Sequence, residues 1–145
     1  KARVGIAALC KIPPRFAEGR MFLEVWPRLG NDYVDGSSLP AKFRMWVLAD
    51  AGFDVVRTGA GDDFVNGAQD RDRVWGGAGN DWLRSGIGND LVYGQDGNDR
   101  IVSQDGADTV YTGGGKDRAE CGTGRDRAVV DGTDFRKDCE SVTRR

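Results

Sequence analysis

Nine aspartates recur in unbroken nine-residue steps: Asp54, Asp63, Asp72, Asp81, Asp90, Asp99, Asp108, Asp117 and Asp126. No other feature of the chain restricts its fold as much. Two residues after each stands an apolar residue, in order Val56, Val65, Val74, Leu83, Val92, Ile101, Val110, Ala119 and Ala128. Two residues before each stands glycine, except where Asp70 replaces it. The unit reads GGxGxDxUx with U apolar, and its cleanest copy is GGAGNDWLR, from Gly76 to Arg84. The glycine-rich half can take the positive φ values of a tight turn. The last three residues predict a short strand whose middle residue faces inward, with Arg73, Arg84, Arg100, Arg118 and Arg127 outward. Helix is excluded, because three glycines in nine would cost about 1 kcal/mol each.

A nine-residue unit with one turn completes half a coil, so two units make a rung and residues 18 apart stack. One side then collects Asp54, Asp72, Asp90, Asp108 and Asp126, and the other Asp63, Asp81, Asp99 and Asp117. At a strand spacing of about 4.8 Å, neighbouring carboxylates repel by roughly 3.5 kcal/mol at an effective dielectric of 20. Seven such pairs in a domain stable by about 5 to 15 kcal/mol call for a cation between them. Arginine is poorly placed for this, since only Arg71 and Arg125 stand beside the aspartates in the turns. A carboxylate with backbone carbonyls is the oxygen donor set of calcium, whereas zinc and copper want His or Cys, which the repeat lacks. A metal-free scaffolding or ice-binding solenoid is the alternative. The chain has no histidine, which removes Ser/His/Asp and Cys/His nucleophiles and HExxH zinc sites, so no enzyme is expected. A net charge of −2 favours neither nucleic acid nor an anionic membrane, and no apolar stretch is long enough to span one.

These repeats, residues 49 to 129, resemble the hemolysin-type calcium-binding repeats of the RTX (repeats-in-toxin) family. The resemblance implies an all-β fold, a parallel β-roll (right-handed β-solenoid) with N- and C-terminal caps, holding Ca2+ between successive turns. It carries over as metal ligands the nine aspartates and the turn carbonyls of Gly59, Gly61, Gly76, Gly77, Gly79, Gly86, Gly88, Gly94, Gly97, Gly106, Gly113 and Gly115. Stacking implies about seven ions. Fewer follow if turn 67–72 is weak, and one more if Asp32 joins. The turn 67–72 is expected to be weak because Asp70 replaces glycine and Arg71 adds a positive charge. Asp50, Ala68, Gln95 and Gln104 also depart from the pattern, at the second glycine.

The ends are read as caps. Residues 1–14 are expected to be a flexible segment or the vestige of an export signal, with Cys10 left over. Residues 15–48 form an N-terminal cap with strands over 21–26 and 42–48, and Gly30, Asn31 and Asp32 make a further turn two repeats plus four residues before Asp54. The loop DGSSLPA, 35–41, resembles the entry to the first regular repeat in secreted actinobacterial repeat proteins. The roll proper spans 49–130 and a C-terminal cap 131–145. There Cys121 and Cys139 are expected to form a disulfide, two free thiols being the alternative. Trp75, Tyr93 and Tyr111 stack at 18-residue spacing on one sheet, with Phe64 and Trp82 on the other. They are read either as a flat strip gripping a glycan or extracellular partner or as cross-strand pairs stabilising the sheet. The combined expectation is a secreted protein whose folding is coupled to calcium.

Overall fold

The computed structural model describes residues 21–144; Cys10 and the predicted segment 1–14 lie outside them, as do 15–20 of the N-terminal cap. The described residues form fourteen strands and no helix. In chain order they are β1 (Met21–Val25), β2 (Tyr33–Asp35), β3 (Phe43–Leu48), β4 (Val55–Arg57), β5 (Phe64–Gln69), β6 (Arg73–Ala78) and β7 (Trp82–Ile87). They continue as β8 (Leu91–Asp96), β9 (Arg100–Asp105), β10 (Thr109–Gly114), β11 (Arg118–Glu120), β12 (Arg127–Val130), β13 (Phe135–Lys137) and β14 (Ser141–Arg144). The odd strands make one seven-stranded sheet in sequence order and the even strands another. Every pairing is parallel and joins residues one rung apart, as in Val65 with Leu83 and Val74 with Val92. The chain is a parallel β-solenoid of about seven turns, a β-roll.

The period of nine sets this architecture because it returns the same side chain to the same place on alternate sheets. The apolar residue two after each aspartate is fully buried in all nine repeats, and Val47 of β3 extends the column by one. The strands are twice as long as the repeat suggests. Those of the central rungs have six residues, running on through the first three positions of the next unit. A parallel ladder needs only backbone groups, so glycine does not end it when the neighbouring rung has the same shape. The first position of each unit therefore also faces the interior. Ala49, Thr58, Gly67, Gly76, Ser85, Gly94, Ser103, Thr112, Cys121 and Val130 are all buried there.

The terminal strands continue the solenoid. Strands β1 and β2 pair with β3 and β4, and β13 and β14 pair with β11 and β12. The loop at 35–41 absorbs the four extra residues. The Asp35 carboxylate accepts the Ser37 N–H at 3.0 Å and its hydroxyl at 2.6 Å, and Leu39 packs against the core. The disulfide Cys121–Cys139 joins first-position residues of adjacent rungs, with Cα atoms 5.2 Å apart.

Trp75, Tyr93 and Tyr111 are register partners. Their rings lie within 9° of parallel at centroid distances of 5.4 and 4.7 Å, and the Arg57 guanidinium covers Trp75. The rings stack face to face along the sheet, an arrangement that cross-strand aromatic packing takes.

Candidate metal centre

Each turn aspartate lies at the start of a strand, where its side chain folds back beneath the turn. All nine repeat aspartates are at most 3% exposed. One carboxylate oxygen pairs the rungs. Asp72 Oδ1 accepts the Asp54 backbone N–H at 2.9 Å, and Asp90 and Asp108 continue that row at 2.8 Å. On the other side Asp81, Asp99 and Asp117 accept from Asp63, Asp81 and Asp99 at 2.8 to 2.9 Å. Every such bond runs from the earlier rung to the later carboxylate.

The rows extend beyond the repeats. Asp32 donates its N–H to Asp54 Oδ1 at 2.7 Å, so the predicted extra turn joins the first row. The first row ends on Glu140, whose Oε2 accepts the Asp126 N–H at 2.6 Å. The second row ends on Asp134, which accepts from Asp117 at 3.1 Å, from Asp131 at 2.8 Å and from the Thr112 hydroxyl at 2.6 Å. Both terminal carboxylates escape the sequence reading because they are out of register, Asp134 by one residue and Glu140 by four from their expected places at 135 and 144. The acidic residues in GTDF and DCE are the only signal for them.

The second carboxylate oxygen is different. Oδ2 of Asp32, Asp54, Asp72, Asp81, Asp90, Asp99, Asp108, Asp117 and Asp126 is buried without a hydrogen-bond partner. Asp63 is the exception, its Oδ2 accepting the Gly59 N–H at 3.1 Å. An orphaned buried carboxylate oxygen is costly, and a charged one more so. Protons are held accordingly. Burial pushes Asp54 and Asp99 up to about 6, Asp72 and Asp108 to about 7, and Asp81 to about 8. Burial is the first cause throughout, the rung-to-rung hydrogen bond opposes it, and neighbouring carboxylates add to it. The repulsion expected from the spacing is present, and removal from water is the larger cause beside it.

The turns themselves keep one shape despite the sequence departures. Asp50, Ala68, Asp70, Gln95 and Gln104 all take φ between 73° and 81°, the left-handed region of the glycines they replace. Arg71 acts on Asp90 of the following rung, whose carboxyl its charge lowers against a larger rise from burial. Turn carbonyls divide by position. The Gly59 carbonyl accepts the Ala78 N–H at 2.9 Å and is part of the ladder. Gly61, Gly79, Gly88, Gly97 and Gly106 carbonyls lie directly against the glycine of the next rung, where a Cβ would overlap them. First-position carbonyls turn inward: those of Ser85, Gly94 and Thr112 reach the space that a Cβ on Gly67, Gly76 and Gly94 would fill, beside Asp72, Asp81 and Asp99 Oδ2. Of the glycines predicted as ligands, Gly76 and Gly94 thus stand at the corner next to an orphaned carboxylate. Gly77, Gly86 and Gly113 have positive φ on the ladder side of the turn, and Gly115 accepts the Thr133 hydroxyl at 2.6 Å.

Among the described residues no three His, Cys, Asp or Glu side chains come together as a metal site. A cation here would take one carboxylate oxygen per turn and fill its shell with carbonyls, which is the oxygen set of calcium. The model of the RTX calcium-binding nonapeptide repeat matches the overlapping segments 46–74, 59–92, 67–101, 84–119 and 93–128, more than half of the chain. The chain belongs to this RTX calcium-binding repeat family. No curated protein and no solved structure matches it. The residues present fit the ion the family implies, since the repeat leaves one unpartnered, buried, acceptor-only oxygen in nearly every turn. No helix among the described residues is long and apolar enough to cross a membrane.

Proposed function

We propose that this RTX β-roll couples its folding to extracellular calcium: the rows of buried carboxylates keep the chain from folding firmly without the ion and make it rigid with it. The observation that carries this is the set of nine orphaned Oδ2 atoms. Calcium supplies the positive charge and acceptor-seeking coordination that those oxygens lack. Everything else is done by the chain. Oδ1 of each aspartate pairs consecutive rungs, the glycine-rich turns bring carbonyls close to Oδ2, and the apolar column closes the interior. Binding free energy then becomes folding free energy, because the unfolded chain has no preformed site. The role is that of an ion-dependent structural module, not a catalyst.

Secretion follows from the same logic. Sites built from one carboxylate and neutral carbonyls suit the roughly 10⁻⁴ to 10⁻³ M affinities of extracellular calcium modules, and a disulfide belongs to an oxidising compartment. Far-UV circular dichroism of the metal-stripped chain, titrated with calcium at neutral pH, tests the coupling. Strand signal rising with calcium, with heat of binding over the same range, is expected. Equal β content with and without calcium would refute the coupling.

A further inference from the structure

The turns are not equivalent, and what separates them is the first-position residue. In four turns this residue is a hydroxyl that donates to an oxygen of the next rung, a main-chain carbonyl in three of them. Thr58 donates to the Gly76 carbonyl, Ser85 to that of Ser103 at 3.2 Å and Ser103 to that of Cys121 at 2.9 Å, whereas Thr112 donates to the Asp134 carboxylate at 2.6 Å. In the turn of Thr58 the carboxylate is satisfied as well, Asp63 accepting Met45 N–H at 2.6 Å and Gly59 N–H at 3.1 Å. Ala49 and Cys121 close the same corner with an apolar side chain. Three turns have glycine there: Gly67, Gly76 and Gly94. Only in these do an orphaned, at least 97% buried aspartate oxygen (Asp72, Asp81, Asp99) and an inward carbonyl (Ser85, Gly94, Thr112) meet in the space of an absent Cβ. The ladder skips the first position in glycine and hydroxyl turns alike, between Gly67 and Ser85 and between Ser85 and Ser103, so the side chain there is what tells the turns apart.

We infer that calcium binds tightly at these three glycine corners, those of Asp72, Asp81 and Asp99, and more weakly or not at all in the hydroxyl turns, where Asp90, Asp108 and Asp117 also keep an unpartnered Oδ2 but a Ser or Thr side chain fills the corner the ion would need. Calcium needs six to eight oxygens. A hydroxyl that occupies the corner and takes up a carbonyl lone pair removes both room and a ligand. The turn 67–72, expected from its Asp70 and Arg71 to be weak, is on this reading one of the three strong ones. The weakest is the turn of Asp63. Two of the strong turns are consecutive in the second row, so the ions lie in the middle of the solenoid and its ends are held by hydroxyls, terminal carboxylates and the disulfide.

This inference rests on the calcium reading above, and the test separates the two. Titration calorimetry on the full chain gives the number of tight ions, and anomalous scattering from crystals grown in calcium places them. Three tight ions are expected, next to Asp72, Asp81 and Asp99. Gly76→Ser is expected to lose one ion while retaining its strand signal in calcium, since serine occupies the same corner at Ser85 and Ser103. Ser85→Gly is expected to gain one, and it tests the idea even if Gly76→Ser does not fold. Seven equivalent ions, or loss of an ion in Ser85→Gly, would overturn the sorting and leave calcium binding standing. No bound calcium at any turn would overturn both.

Discussion

Removing calcium should reverse the pH dependence of folding. In the metal-free roll, Asp54 and Asp99 titrate at about 6, Asp72 and Asp108 at about 7 and Asp81 at about 8, against an ordinary 3.8. The folded chain therefore holds protons that the unfolded chain has released. A raised folded-state pKa gives stability that is complete below about pH 3.8 and is lost as pH climbs through about 6 to 8. Each proton held only by the fold contributes a slope of about 1.4 kcal/mol per pH unit. Five groups are available, and if water entry leaves only two of them acting, stability still falls by about 3 kcal/mol over one unit. That is a large share of the roughly 5 to 15 kcal/mol a domain has. Urea melts of metal-stripped protein, followed by far-UV circular dichroism near pH 5 and near pH 8, measure it. The metal-free chain should be more stable near pH 5. In millimolar calcium the order should invert, because the ion competes with protons for the same oxygens. Metal-free stability that is flat or rises between those pH values would refute the assignment of burial as the dominant penalty.

Asp81→Asn keeps an oxygen to accept the Asp63 N–H and places an amide where Oδ2 stands, so the metal-free fold should gain stability near pH 8 while calorimetry counts one fewer ion. Asp134→Ala strips an acceptor from the Asp117 and Asp131 N–H groups and from Thr112. It should cost about 1 to 3 kcal/mol, seen as faster hydrogen exchange in β11 and β13. Cys139→Ser opens an 18-residue closure and should lower stability by about 3 kcal/mol; thermal melts of the reduced parent protein should coincide with those of the variant.

The repeat makes much of this structure legible in the sequence. An aspartate and an apolar residue at constant spacing specify a backbone that repeats, and a repeating backbone can only stack, so both sheets and the column from Val56 to Ala128 follow directly. Asp32 was readable through its four-residue offset because the extra chain has its own turn chemistry, in Asp35 and Ser37. The strand lengths were not. Residues such as Gly76 and Gly77 carry no strand propensity, and they join the strand only because a segment of the same shape in the next rung offers its backbone. Asp134 and Glu140 were hidden for the opposite reason. They do the work of a repeat aspartate from the wrong register, reached by a shortened rung and, at Glu140, by a longer side chain.

The aspartate column combines two roles that a sequence pattern cannot separate. Oδ1 pairs rungs through the main chain and would do so in any solenoid, whereas Oδ2 has no purpose in a metal-free fold and makes that fold worse. Eight repeat aspartates with one buried oxygen satisfied and the other left bare are hard to reconcile with selection for stability alone, since asparagine would serve the pairing at no charge cost. The neighbouring fifth-position ladder shows the chain using that cheaper solution: Asn98 donates its N–H to Asn80 Oδ1 at 2.9 Å, and Lys116 to Asn98 Oδ1 at 2.8 Å. Asparagine pairs most of the exposed rim of the turns, with Asp62 accepting the Asn80 N–H at 3.0 Å as the exception, whereas every buried position is aspartate, whose second oxygen can face an ion.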